Sequence, residues 1–402
     1  MSVLGIVCEY NPFHRGHEYH LMMSRRALGG DVPVICVMSG DFVQRGEPAA
    51  FSKFARAEAA CLCGADLVVE LPLPWSLSSA EGFARGAVGL LGALGATHIS
   101  FGSEAGETEP LQELAEALLD PTLTEEIRTL LDGDGSLSFA SARQRVLCGR
   151  VGELSEQIRL PNNLLGVEYI KAIRMQGLSI EPLTVQRFGS PHDAAAAYGP
   201  RSGSELRAWL CEGRRVDAYV PEAAMSVYRR EIAAGRGPMS PADYDAVLLS
   251  RLRMLPDETF ETLPDASDGT GKRLYAAARS EAAVEDIHAA AKSKRYALAR
   301  IRRMTLCAAL GIRQGMNAGV PPYARVLAAS PVGLELLHRA KKNASLPIVT
   351  KPASVRRLAP ECAALFALGA SAHDLYTLPF REKEDKKGDI DWRTGPFIVN
   401  NH

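Results

Sequence analysis

Five short runs rich in β-branched residues punctuate the first two hundred positions: SVLGIVC (2–8), VPVICVM (32–38), DLVVEL (66–71), THISF (97–101) and LSIEPLTV (178–185). Runs of that length and composition, bounded by polar residues, predict strands. Between them apolar positions recur at helical spacing over 17–28, 52–63, 79–94, 108–131 and 162–176, which predicts helices. Strand and helix alternating in this way specify an α/β fold, a Rossmann-like doubly wound parallel sheet. In such a sheet ligands bind beyond the carboxyl ends of the strands.

After about residue 203 the strand pattern fades and helical periodicity takes over, broken by the turn-rich pieces PDASDGTGK (264–272) and NAGVPPY (317–323). The expected organisation is a nucleotide-binding unit over 1–210 and a mainly helical unit over 211–402. The charged stretch REKEDKKGDIDWRTGP is expected to extend over the surface.

A chain of 402 residues has room for two or three units. Its 47% apolar and 23% charged residues mark a folded protein rather than a disordered one. The longest weakly polar run, GAVGLLGALGA, falls short of the ~20 residues that cross a bilayer, and the amino terminus does not resemble a secretory signal. A cytoplasmic protein without a membrane partner is expected. None of the eight cysteines forms a CxxC pair, so reduced thiols rather than a zinc ribbon are expected.

Charge changes the picture more. The whole chain carries -1, yet residues 281–360 hold fourteen Lys and Arg against four acids, a balance of +10. A segregated basic segment of this kind points to a polyanionic partner.

The chemistry-bearing stretch is GIVCEYNPFHRGHEYH (5–20), where the first strand meets the first helix. HRGH sets His14 and His17 three apart with Gly16 between them. Unpaired N–H groups at a helix start favour phosphate, glycine permits close approach, and two imidazoles add hydrogen bonds. A zinc site would want a further ligand, and the HExxH pattern is absent. Purely structural histidines are the other reading, and His20 by itself fits it.

HxGH after a first strand resembles the signature of the nucleotidylyl transferase superfamily. The blocks MSGDFVQRGEPA (38–49), GADLVVELP (64–72), SAEGFARGA (79–87), FGSE (101–104), LPNNLLGVEYIKAI (160–173) and VQR (185–187) narrow the likeness. They resemble, in order, those of the bacterial tRNA(Met) cytidine acetate ligase family, and AKSKRYALARIRRM (291–304) resembles that family's basic helix. The likeness implies a ligase that forms acetyl-adenylate from acetate and ATP, with release of pyrophosphate. It then acetylates the wobble cytidine of elongator tRNA(Met) to N4-acetylcytidine without acetyl-CoA. Mg²⁺ is expected only as the companion of ATP.

The resemblance also implies site residues. His14 and His17 would be catalytic. The ATP loop would comprise Val7, Cys8, Glu9, Tyr10, Asn11, Pro12, Phe13, His14, Arg15, Gly16, His17, Glu18, Tyr19 and His20, with Gly102, Asn162 and Arg187 as further contacts. RSGSELR (201–207) resembles the superfamily's second phosphate signature through Ser202, Ser204 and Arg207, although Gly203 is an unusual filler and Ser204 stands where threonine is commoner. A helix cap is the alternative reading of that turn. Without the tRNA blocks, the histidine loop would equally suit a cofactor-synthesising nucleotidylyl transferase with a small phosphorylated acceptor, which leaves the +10 segment without a purpose.

KSKR (292–295) lies in a helical stretch and is not read as a catalytic lysine loop. On a single helix over 291–304, Lys292, Arg295, Arg300, Arg302 and Arg303 share one arc, opposite Ala297, Ile301 and Met304. With Lys341 and Lys342 from HRAKKNASLPIVTKPASVRR (338–357), they form the expected tRNA footprint, for RNA rather than DNA. Tyr296 and Tyr323 would suit base stacking or the core equally.

Overall fold

The computed structural model describes residues 2–134, 137, 139–187, 201–267, 269–293 and 296–400. The five expected strands form, and five more join them: β1 Leu4–Cys8, β2 Val34–Ser39, β3 Phe42–Val43, β4 Glu47–Pro48, β5 Leu67–Leu71, β6 His98–Ser103, β7 Glu181–Gln186, β8 Ala324–Ala329, β9 Ile348–Val349 and β10 Phe397–Ile398. The main sheet runs β10-β8-β5-β2-β1-β6-β7, with β9 alongside β8. From β5 through β7 all neighbours are parallel, while β8 lies antiparallel to β5. The chain moves outward from β1 to β2 and β5, then returns across β1 to β6. That reversal opens a crevice at the carboxyl ends of β1 and β6, where this class of sheet binds ligands.

Both faces of the sheet are covered, which is why its strands read as continuous apolar runs. Ile35 and Val37 of β2 point into a core made with helices Ala80–Ala93, Glu109–Leu119 and Pro161–Met175. Val34, Cys36 and Met38 point the other way, against helices Arg15–Ala27, Lys53–Leu62 and Glu222–Ala233. The helix expected over 108–131 is two helices. Asp120 leaves helical geometry ahead of Pro121 and its carboxylate caps the second helix by accepting the Thr122 N–H at 2.9 Å.

The boundary expected near 210 does not divide the packing. Leu206, Leu210, Val216, Val220 and Tyr228 share a core with β1 and β2, and β8 completes the sheet from the far end of the chain. A separate helical core forms over residues 239–312 and closes on Phe42, Leu73, Tyr376 and Phe380.

The charged stretch near 381–396 is not a surface wrap throughout. Asp391 is fully buried, and its Oδ2 accepts from Lys53 Nζ at 2.9 Å and from Arg325 Nη1 at 2.7 Å. Glu70 completes the cluster, 2.9 Å from Lys53 and 3.1 Å from Arg325. Two buried cations demand buried counter-charges, and this stretch supplies one of them.

Candidate active site

Beyond β1 the chain turns through Tyr10, at φ 44°, into a loop held from four sides. The Asn11 Oδ1 accepts the Ala50 N–H at 2.8 Å, and the Phe13 N–H donates to the Tyr228 hydroxyl at 2.8 Å. The Arg15 N–H donates to the Tyr219 carbonyl at 2.9 Å, and Arg207 Nη1 to the Asn11 carbonyl at 2.8 Å. The loop is rigid because three distant segments use its backbone as a partner.

His14 is the N-cap of helix Arg15–Ala27, in extended conformation. Its Nδ1 accepts the Gly16 N–H at 3.1 Å, while the Nδ1 of His17 accepts the N–H of His14 at 3.3 Å. Two imidazoles thus make the reciprocal cap that serine and glutamate make elsewhere. With each Nδ1 an acceptor, the network assigns the ring proton to Nε2 on both residues. The rings stack with centroids 3.7 Å apart. Gly16 is required here, since a Cβ would lie 2.9 Å from the His14 ring.

Burial, and then the Arg187 guanidinium, pull the pKa of His14 down to about 4. Burial, His14, His20 and Arg187 hold His17 well below the ordinary histidine range. Both rings are therefore neutral hydrogen-bond donors at pH 7, and positive charge must come from Arg187 and the helix start.

His20 is turned to a different task. Its Nε2 lies 3.0 Å from Ser100 Oγ, which lies 2.7 Å from Ser24 Oγ, and Ser24 donates back to the His20 carbonyl at 2.7 Å. That closed ring of bonds ties the helix to β6. Burial and Arg187 bring its pKa to about 4 as well.

At the end of β6, Gly102 lies under Arg187, where a Cβ would come within 3.0 Å of the Arg187 side chain. Arg187 Nη1 donates to Asn162 Oδ1 at 3.1 Å, and Asn162 Nδ2 donates to Glu104 Oε1 at 2.6 Å. The neighbouring Asn163 is buried, and its Oδ1 accepts the N–H groups of Glu104 and Ala105 at 2.9 and 3.2 Å.

Ser202 caps helix Gly203–Cys211 and closes a capping box with Glu205, so the cap reading of this turn holds for Ser202. The same helix nonetheless abuts the histidine loop, with a Gly203 Cβ position 3.3 Å from the Asn11 carbonyl and 3.9 Å from the His14 ring. Ser204 Oγ accepts from Arg207 Nη2 at 3.2 Å.

Sequence reading did not single out Arg56, Glu47 or Glu104. Arg56 is fully buried and donates to the carbonyls of Glu9, Ser39, Gly40 and Phe51, tying together the ends of β1 and β2. Glu9 is half-buried beside it; desolvation raises its pKa although the Gln44 N–H, Arg45, Arg207 and Arg56 pull it down. Its Oε1 accepts the Gln44 N–H of the β3–β4 hairpin at 2.8 Å.

The basic helix over 291–304 is not continuous. One helix ends at Ala291 and the next begins at Leu298, with Lys292 and Ala297 in extended geometry; Arg295 lies outside the described residues. Because the helix is interrupted, the expected single-helix arc does not form. Arg303 is buried and pairs with Asp265 at 3.4 Å. Arg302 pairs with Glu47 and with Glu285, and Arg300 holds the Asp265 carbonyl and lies over the Tyr296 ring. Tyr323 belongs to the core. Lys292, Lys341 and Lys342 are exposed.

Among the described residues no group of three or more His, Cys, Asp or Glu is arranged to hold a metal ion, and no helix is long and apolar enough to cross a membrane. A cavity of about 590 Å³ runs along the first helix beside Glu18, Met22, Arg25, Gly29 and Cys63, and neither of the paired histidines lines it.

Residues 1–391 match the model of a family described as HIGH Nucleotidyl Transferase. The chain is 33% identical to the tRNA(Met) cytidine acetate ligase of Acetivibrio thermocellus, over 99% of this chain and 100% of that one. It is 37% identical to the enzyme of that name from Caldanaerobacter subterraneus subsp. tengcongensis, over 97% and 98%. Among solved structures it is similar to Thermotoga maritima TmcAL bound with alpha-thio ATP, with a TM-score of 0.92, 34% identity and 99% of each chain covered.

Proposed function

We propose, from the premise that this chain belongs to the HIGH nucleotidyl transferase family, that it is an ATP-dependent tRNA(Met) cytidine acetate ligase. It activates acetate and modifies the wobble cytidine of elongator tRNA(Met). In the first step an acetate oxygen attacks the α-phosphorus of ATP, the bond to the β-phosphate breaks, and pyrophosphate leaves. In the second the exocyclic amine of cytosine attacks the acetyl carbonyl carbon, AMP leaves with the bonding electron pair, and the nitrogen loses a proton to give N4-acetylcytidine.

The first step brings an anion to a polyanion, so its barrier is set by how well charge on phosphorus and departing pyrophosphate is offset. His14 and His17 present Nε2–H donors from the start of a helix, and Arg187 contributes charge from across the crevice. Arg207 steadies the loop through the Asn11 carbonyl and adds a second cation beside it. Mg²⁺ would arrive with the nucleotide and neutralise part of its charge. Acetate, not acetyl-CoA, is the donor, and the work is done in the cytoplasm where ATP and tRNA are.

In the second half of the chain, residues 211–402, the exposed Lys292, Lys341 and Lys342 offer contacts to the tRNA backbone. Arg302 and Arg303 serve internal pairs instead.

The observation that carries this reading is the mutual imidazole cap, which fixes two neutral N–H donors at a helix start in the crevice. Replacing His17→Ala should lower acetate-dependent ATP–pyrophosphate exchange by at least ~100-fold while the far-ultraviolet circular dichroism stays that of the parent. Exchange at the parent rate would defeat the assigned role. Acetylation of tRNA(Met) that required acetyl-CoA would defeat the choice of donor.

A further inference from the structure

The β3–β4 hairpin reaches from the ATP site to the helical half of the chain. Gly46 at its tip has φ 79° and touches the start of helix Leu298–Leu310 so closely that a Cβ would lie 2.5 Å from the Arg303 nitrogen. Between the hairpin and the helical half is a cavity of about 280 Å³, lined by Gly46, Glu47, Ser240, Glu285, His288 and Arg302 among others. Ligand pockets begin at roughly 300 Å³, so this one suits a single base rather than a nucleoside triphosphate.

One lining group is left without a partner. His288 is 6% exposed, its Nδ1 lies 3.5 Å from Glu285, and its Nε2 is buried with no hydrogen-bond partner. A buried ring nitrogen in that state is costly unless something fills the bond. The other polar lining groups are the Ser240 hydroxyl and three carboxylates, Glu47, Asp245 and Glu285, of which the Arg302 guanidinium spans Glu47 and Glu285.

We propose that this cavity receives the cytosine base of the wobble nucleotide. The inference rests on the ligase reading above and adds to it the place where the base is held. Cytosine presents an amine donor beside ring-nitrogen and carbonyl acceptors. Carboxylates accept from that amine in known base recognition. So can the free Nε2 of His288, because its Nδ1 faces the Glu285 carboxylate and carries the ring proton, while Arg302 matches the acceptors. Uracil carries a carbonyl where cytosine has the amine, and that oxygen would face carboxylates. The cavity is one side chain from the nucleotide: Glu47 pairs with Arg302 on the cavity side and lies 3.7 Å from Arg207, which binds the Asn11 carbonyl of the ATP loop. Enzymes that modify a base hold it unstacked in a pocket of this kind.

The test uses the full chain and the variants His288→Ala and Glu285→Gln. Glu285 has 67% of its side chain exposed, so its replacement leaves the fold intact if His288→Ala does not. Three quantities are measured: acetate-dependent ATP–pyrophosphate exchange, acetylation of tRNA(Met), and affinity for tRNA(Met) transcripts carrying cytidine or uridine at the wobble position. The expectation is exchange within twofold of the parent, acetylation reduced at least tenfold, and loss of the preference for the cytidine transcript with affinity for the uridine transcript unchanged. Variants that keep the preference, or that lose affinity for both transcripts equally, would overturn the assignment. A parent protein that fails to acetylate tRNA(Met) defeats the ligase reading itself; one that acetylates it with variants indistinguishable from parent defeats the pocket alone.

Discussion

Asp391→Ala removes one carboxylate from a cluster buried away from solvent. The Asp391 side chain is 0% exposed, Lys53 1% and Arg325 3%, and both cations bond its Oδ2. After the change Glu70 alone remains within 3.1 Å of both, with Asp41 3.9 Å from Lys53. Removing one partner of a buried pair costs about 3–5 kcal/mol. Two cations are stranded here, which argues for the upper end. Against a total stability of roughly 5–15 kcal/mol this is a large fraction.

The assay is urea unfolding of parent and variant, with Glu384→Ala at an exposed site as the control, expected within about 0.5 kcal/mol of parent. The gap should also depend on pH. Burial would raise the Asp391 pKa, but Lys53 and Arg325 outweigh it and hold it far below the ordinary carboxylate value. A group with a depressed folded pKa stabilises above its unfolded value of about 3.9 and loses that contribution on acidification. The difference between parent and Asp391→Ala should therefore be full above about pH 5 and narrow as pH falls towards 2. Terms common to both proteins, including the histidines, cancel. Equal urea midpoints at pH 7 would refute the argument, as would a gap that stays constant from pH 7 down to the lowest pH at which both proteins fold.

Gly46→Ala should separate the hairpin from helix Leu298–Leu310, because a Cβ there meets backbone at 2.5 Å and the residue has positive φ. A stability loss of about 1–3 kcal/mol, read by thermal unfolding, is expected to accompany weaker tRNA acetylation; parent values for both would count against the contact. His14 and His20 should titrate by NMR near their shifted values of about 4, and ordinary midpoints near 6.5 would show that the rings are not held as described. In both cases the unfolded state takes up the proton first, so between about pH 6.5 and 4 each histidine lowers stability as pH falls.

Most of the parallel strands were legible because a strand buried on both faces has to be apolar throughout, and runs such as VICVMS are little else; the edge strand β7, EPLTVQ, is only half-buried and was legible from its β-branched residues instead. β8, ARVLAA, escaped notice because its alanines carry no β signal and its arginine reads as surface; Arg325 is in fact buried among Glu70 and Asp391. The placing of the histidine pair at the start of the first helix was legible because it is local, whereas the mutual capping by the two rings was not read from the sequence. Arg56 was not, since its role consists of backbone carbonyls from three segments that meet only in the folded chain. The basic arc failed for a related reason. Periodicity assumes an unbroken helix, and the extended geometry at Lys292 and Ala297 removed that assumption.

The late arrival of β8 matters while the protein is being made. Glu70 of β5 and its partner Arg325 of β8 are 255 residues apart. At the roughly 5–20 residues per second of translation, the outer edge of β5 therefore waits on the order of ten to fifty seconds with its backbone unpaired. LVVEL is apolar and strand-forming, the type of edge that recruits other chains. Until residue 329 has emerged, the nascent chain is most exposed to self-association along that edge, and a chaperone would shield it there.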